Sequence, residues 1–65
     1  MINYKKLRVL MAEREISWPE LIKGMGVSQD VGVKLRHDKY VSIFTLEKLC
    51  DFLDVDIGEV MEFKK

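Results

Sequence analysis

Few residues in this chain could do covalent or proton-transfer chemistry, and their placement does not suit it. There is one histidine, His37, and one cysteine, Cys50. They fall on different elements, and neither has near it the third, orienting group that a nucleophile–base pair needs. A zinc site requires several Cys or His ligands at short spacing, which a single cysteine and a single histidine cannot supply. The run Asp54-x-Asp56-x-Gly58-Glu59 has the look of a calcium loop. Its sixth position would be Glu59 where glycine is required, and its twelfth would be Lys65 where an acid is required, so it fails. Met1, Met11, Met25 and Met61 read as core fillers or chain ends and form no cofactor box. The chain is therefore expected to be no enzyme, with no metal and no cofactor. What remains is binding chemistry, concentrated in Lys34, Arg36 and Lys39 shortly after a glycine turn.

The elements that must position those residues are helical. Tyr4, Leu7, Leu10 and Met11 follow the helical period behind Asn3, a capping residue. Ser17-Trp18-Pro19-Glu20 combines a cap, a first-turn proline and a glutamate three residues on, which predicts a second helix stopping near Gly24. Met25-Gly26-Val27-Ser28 then reads as a tight turn with Gly26 left-handed. Ser28 caps a third helix over roughly 28–37, with Val31 and Leu35 facing inward. His37-Asp38-Lys39-Tyr40 is a loop. Ser42 caps a fourth helix carrying Leu46, Leu49, Cys50 and Leu53, and Asp56 caps a short fifth with Ile57, Val60 and Met61. No strand of convincing alternation is visible. The expectation is an all-α, five-helix domain over 1–65. Its core is Leu7, Leu10, Leu21, Val27, Val31, Leu35, Leu46, Leu49, Leu53, Val55 and Val60.

Composition bounds the answer further. At 65 residues the chain suits one small domain, which buries only about 60 % of its unfolded surface. A 48 % hydrophobic share argues against disorder, while apolar runs are too short for a membrane-crossing helix. No signal-peptide core follows Met1, so a cytoplasmic location is expected. The formal charge is zero, where a nucleic-acid binder is usually basic. The total conceals a polarity, however. Residues 1–48 carry a surplus of three positive charges, and residues 49–65 an equal negative surplus from Asp51, Asp54, Asp56, Glu59 and Glu62.

The pattern Glu20-Leu21-x-x-x-x-Gly26-Val27-Ser28-x-x-Val31-x-x-x-Leu35 resembles the helix-turn-helix of the lambda-repressor-like, Cro/cI-type (Xre) DNA-binding domains. The likeness continues through Val41-Ser42, Leu46, Leu49-Cys50 and Leu53-Asp54-Val55-Asp56-Ile57-Gly58, and so spans nearly the whole chain. It implies a helix-turn-helix over about 17–37 in a transcriptional regulator, such as a repressor, of bacterial or phage origin. It also implies a homodimer on duplex DNA, with two half-sites a helical turn apart. A glycine turn lets the second helix of such a pair stand clear and enter a major groove about 12 Å wide. By position, the family's base-reading residues fall on Gln29, Asp30 and Lys34. Gln29 suits an adenine edge, Asp30 a cytosine amino group and Lys34 a guanine. Ser28, Arg36, Lys39 and Tyr40 would meet phosphates.

Several positions depart from the family pattern. Trp18 stands where a polar phosphate-contacting residue is common, and Gly32 where a large aliphatic is usual. Val33 occupies a place better suited to a small or polar side chain, and Ile43 and Phe44 sit where helix four is normally polar. Trp18 can pack beside Leu21, lie on DNA sugar or anchor a partner. With Val33, Tyr40, Ile43 and Phe44 it could form an apolar face for another protein. The alternative expectation is thus the same fold used as a protein–protein module, antirepressor- or antitoxin-like.

Overall fold

The local signals for helix boundaries are met by hydrogen bonds. The structure, a computed structural model, describes residues 1–64. In order, it contains β1 (Ile2–Asn3), α1 (Lys5–Glu13), α2 (Trp18–Met25), α3 (Gln29–Arg36), α4 (Ile43–Leu53), a 3₁₀ turn at Ile57–Glu59 and β2 (Glu62–Phe63). At the start of α2, Ser17 Oγ accepts from the Glu20 N–H at 3.3 Å and Glu20 Oε1 accepts from the Ser17 N–H at 3.1 Å. Two orphan donors of that terminus are thereby satisfied, and Pro19 has none to offer. At the other end Gly26 closes the helix at φ 71°, a left-handed conformation that glycine adopts without a Cβ penalty. Ser42 Oγ accepts from the Thr45 N–H at 3.1 Å to open α4. The C-terminal carbonyl of that helix, on Leu53, receives the Arg14 guanidinium at 2.6 Å.

All-α architecture follows, with three differences in detail. The anticipated fifth helix is a single 3₁₀ turn, in which Glu59 Oε2 accepts from the Asp56 N–H at 2.9 Å. Three residues are too few for α-type bonding to propagate. Met61 falls beyond that turn, and the chain then forms β2. This strand pairs antiparallel with β1 in the register Ile2↔Phe63 and Asn3↔Glu62. Strands of two residues carry no readable alternation, which is why none was legible. Asn3 accordingly lies in β1, and Tyr4 takes the position before α1 without a side-chain cap. Asn3 Oδ1 still accepts from the Lys5 N–H at 3.2 Å. Ser28 occupies the N-cap site of α3 but makes no capping hydrogen bond.

Helices α1, α2, α3 and α4 enclose Leu7, Leu21, Leu35, Leu46, Leu49 and Leu53, with Val60 closing the base. Four expected core residues, Leu10, Val27, Val31 and Val55, pack only partly buried at its margin. Tyr4, Met11, Ile22 and Met25 are buried in addition. Tyr4 is fully enclosed, its N–H donating to Asp38 Oδ1 at 2.8 Å and its hydroxyl to the Lys39 carbonyl at 2.7 Å. That pairing meets the demand of a buried phenol for a partner. It also fastens the chain's beginning to the loop after α3. Gly32 is buried where α3 meets α2, and a Cβ built there would lie 3.1 Å from Ile22 Cδ1. The absent side chain is what lets these two helices come so close.

Candidate nucleic-acid interface

Helix α3 is the element on which the candidate residues converge. Its inward stripe is set by Leu35, fully buried, by Gly32 against Ile22, and by the half-buried Val31. Successive residues turn about 100° around the axis. Arg36, Gln29, Val33, His37, Asp30 and Lys34 therefore follow one another around the opposite arc of roughly 160°. Each of them is exposed. The left-handed Gly26 cap turns the chain between α2 and α3 and leaves this arc uncovered.

Along that arc the charges are arranged in short-range pairs. Lys34 Nζ lies 3.3 Å from Asp30 Oδ2, one helical turn back. Both groups are well exposed, so the pair is worth little to stability. An ammonium has three donors and a carboxylate several acceptor sites, so each keeps capacity for a further partner. Asp30 in the first turn and Lys34 and Arg36 in the last also complement the helix dipole. Arg36 leans the other way. Its guanidinium lies over the Trp18 ring, 5.4 Å from the centroid, and Nε donates to the Gly32 carbonyl at 3.4 Å. Trp18 in turn is half-buried against the core. The departure at Trp18 thus has a structural part: its ring packs at the core margin and carries Arg36.

The loop after α3 presents Lys39 and Tyr40, both exposed, Tyr40 at 71 %. Their position is held from α1. Asp38 takes a left-handed φ of 56°, and its Oδ1 accepts from the Tyr4 N–H and from Arg8 Nη1 at 3.0 Å. The Tyr4 N–H, and next the Arg8 guanidinium, hold the Asp38 carboxyl below the usual carboxylate range. This brace escaped sequence reasoning, because Arg8 and Asp38 are 30 residues apart. At the start of α4, Ile43 is 76 % and Phe44 64 % exposed, and the Lys48 ammonium lies 4.8 Å from the centre of the Phe44 ring. The acidic residues gather elsewhere. Asp51, Asp54, Asp56 and Glu59 line a groove beside Cys50 at the far end of α4. Burial pushes the Cys50 thiol up, and the charges of Asp51, Asp56 and Glu59 add to it.

The family of Cro/C1-type HTH DNA-binding domains matches this chain over residues 6–65. The chain belongs to that family. Among solved structures it is similar to the transcriptional regulator VanUg, crystal form II, with 33 % identity and a TM-score of 0.89. That likeness covers 94 % of this chain and 81 % of the other. Among curated proteins there is no significant match. The Gly26 turn gives α2 and α3 the form of a helix-turn-helix, and α3 leaves one arc exposed. No helix among the described residues is long and apolar enough to cross a membrane.

Proposed function

We propose that this Cro/C1-type domain is a sequence-specific transcriptional regulator, a repressor of bacterial or phage origin acting in the cytoplasm. It binds duplex DNA as a homodimer, with α3 of each copy in the major groove. Gln29, Asp30 and Lys34 contact base edges, Gln29 at adenine, Asp30 at a cytosine amino group and Lys34 at guanine. Ser28, Arg36, Lys39 and Tyr40 contact phosphates and fix the register. The observation that carries this reading is the open polar arc of α3, held clear of α2 by the Gly26 turn. One such helix reads only a few base pairs, so useful specificity calls for two half-sites.

The exposure of Val33, Tyr40, Ile43 and Phe44 favours a second reading, in which this face binds a protein. One pair of substitutions separates the two. If DNA is the partner, Lys34→Ala removes a base-edge donor and costs about 1–3 kcal/mol at one base position. Phe44→Ala then changes DNA affinity little. If a protein is the partner, Phe44 is a buried anchor worth about 2 kcal/mol or more, and Lys34 a rim charge worth little. The assay is a mobility shift on duplex fragments from upstream of the chain's own gene, at two salt concentrations. No shift at micromolar protein in low salt counts against the DNA reading.

A further inference from the structure

We infer that the outer face of α1 is a self-association surface, on which a second copy of this chain docks antiparallel across a two-fold axis. The inference rests on the reading above only for the expectation of two copies, and the pairing itself needs no DNA. Lys5, Val9 and Glu13 recur every four residues, so they form one stripe along the helix. All three are exposed, Val9 at 49 %. The fold explains neither the valine nor the charges. A β-branched residue is a poorer helix former than alanine, and half of Val9 stays in water. The charges run against the helix dipole. Lys5 and Lys6 stand in the first turn and Glu13 in the last, with no acid at the start and no base at the end. Among the described residues neither Lys5 nor Glu13 joins an ion pair.

A second copy accounts for all three residues. In two antiparallel helices that cross at Val9, a residue four positions before the crossing faces the one four positions after it on the other copy. Each lies about 6 Å from the crossing. Lys5 then stands opposite Glu13 of the other copy, Glu13 opposite its Lys5, and the two valines meet on the axis. A two-fold contact uses one patch twice, so it demands a pattern that complements itself, and cation–valine–carboxylate is such a pattern. Beside the stripe, a groove of about 400 Å³ separates α1 from the 3₁₀ turn, with Leu10, Gly58 and Glu59 also in its walls. Gly58 brings no side chain to it, which leaves room for the opposing valine when helices pack about 8–10 Å apart. The apolar part is one valine and the edge of Leu10 from each copy, so the dimer is weak and reversible.

The experiment is sedimentation equilibrium of the full chain, without DNA, from about 10 μM to about 1 mM. The wild type should pass from monomer towards dimer within that range, and added salt should weaken the dimer. Lys5→Glu and Glu13→Lys each replace two attractive contacts by two repulsive ones, and each should weaken association about tenfold or more. Both changes suit the helix dipole better than the wild-type residues, so α1 stays formed, as circular dichroism verifies. Mixing the two variants should restore association as a heterodimer, because each then meets opposite charge at both ends. A chain that is still monomeric at about 1 mM in low salt overturns the inference. Dimerisation indifferent to both substitutions overturns it as well, and so does a mixture no more associated than its parts. None of these results alters α3, so DNA binding in the mobility shift stands or falls separately.

Discussion

Gly32 sets the distance between the two helices of the motif, and substituting it tests that distance directly. Helix propensity alone favours Gly32→Ala by about 0.8–1 kcal/mol, because α3 is regular there and glycine loses the most backbone freedom on folding. The structure opposes this gain. The added Cβ would lie 3.1 Å from Ile22 Cδ1 and 3.2 Å from Cγ1, inside the 3.5–4.0 Å at which carbon atoms attract. Relief requires Ile22 to leave its rotamer or α2 to move away, at about 1–3 kcal/mol. The net expectation is a change from about zero to 2 kcal/mol in the destabilising direction. Ile22→Val removes the nearest atom at a cost of about 0.5–1.5 kcal/mol. Valine keeps Cγ1, so in that background the same Gly32→Ala should destabilise less than in the wild type, giving a coupling of about 0.5 kcal/mol or more across the cycle. Urea unfolding followed by circular dichroism, with the slope unchanged among the four proteins, measures it. A stabilisation by Gly32→Ala that is equal in both backgrounds would refute the close approach of α2 and α3.

Leu35 is fully buried where α3 meets the core, so Leu35→Ala should cost about 2–5 kcal/mol and leave the chain largely unfolded near 37 °C; an unchanged thermal midpoint would place it on the surface. Tyr4→Phe removes the donor to the Lys39 carbonyl and should cost about 1–3 kcal/mol in a thermal melt, because that carbonyl is left without its partner. Acid should also destabilise. The folded-state pKa of Asp38 is depressed, so its contribution is fully present above the ordinary aspartate range and is lost as pH falls through the lower, folded value. Asp38→Asn, which keeps a residue tolerant of positive φ, should flatten the pH dependence of the melting temperature below about pH 4; an unaltered acid limb would show that the Asp38 brace is not its source.

What was legible in the residues is what local chemistry specifies. Ser17 and Glu20, Ser42, and Gly26 act within three or four positions, and each does in the structure what its type implies. The candidate residues Gln29, Asp30 and Lys34 are implied by the family resemblance, and helical periodicity adds only that they turn away from Leu35. The unread features join distant parts of the chain. Tyr4 looked like one more apolar position of α1, and only packing reveals that it anchors the loop bearing Lys39 and Tyr40. The brace from Arg8 to Asp38 and the stacking of Arg36 on Trp18 are equally non-local. Gly32 stood out as a departure, but its meaning depends on Ile22, on another helix. The pairing of β1 with β2 was invisible because strand signals need more than two residues.

The zero net charge becomes intelligible once the charges are placed. Helix α4 spans Ile43–Leu53, about 16 Å at 1.5 Å per residue. At its beginning stand the loop residues Lys39 and Tyr40, and at its end the acidic groove of Asp51, Asp54, Asp56 and Glu59. That separation exceeds the Debye length of about 8 Å at physiological salt, so the acidic end only weakly repels phosphates held at the other. Its cost falls at long range, where an approaching duplex meets a neutral molecule and steering is slight. On the proposed interface only Arg36 and Lys39 among the phosphate contacts are cations, with Lys34 already beside Asp30. Non-specific affinity scales with the phosphates neutralised, so few cations mean weak retention on arbitrary DNA. In the proposed complex, discrimination therefore has to rest on short-range contacts along α3 rather than on net attraction.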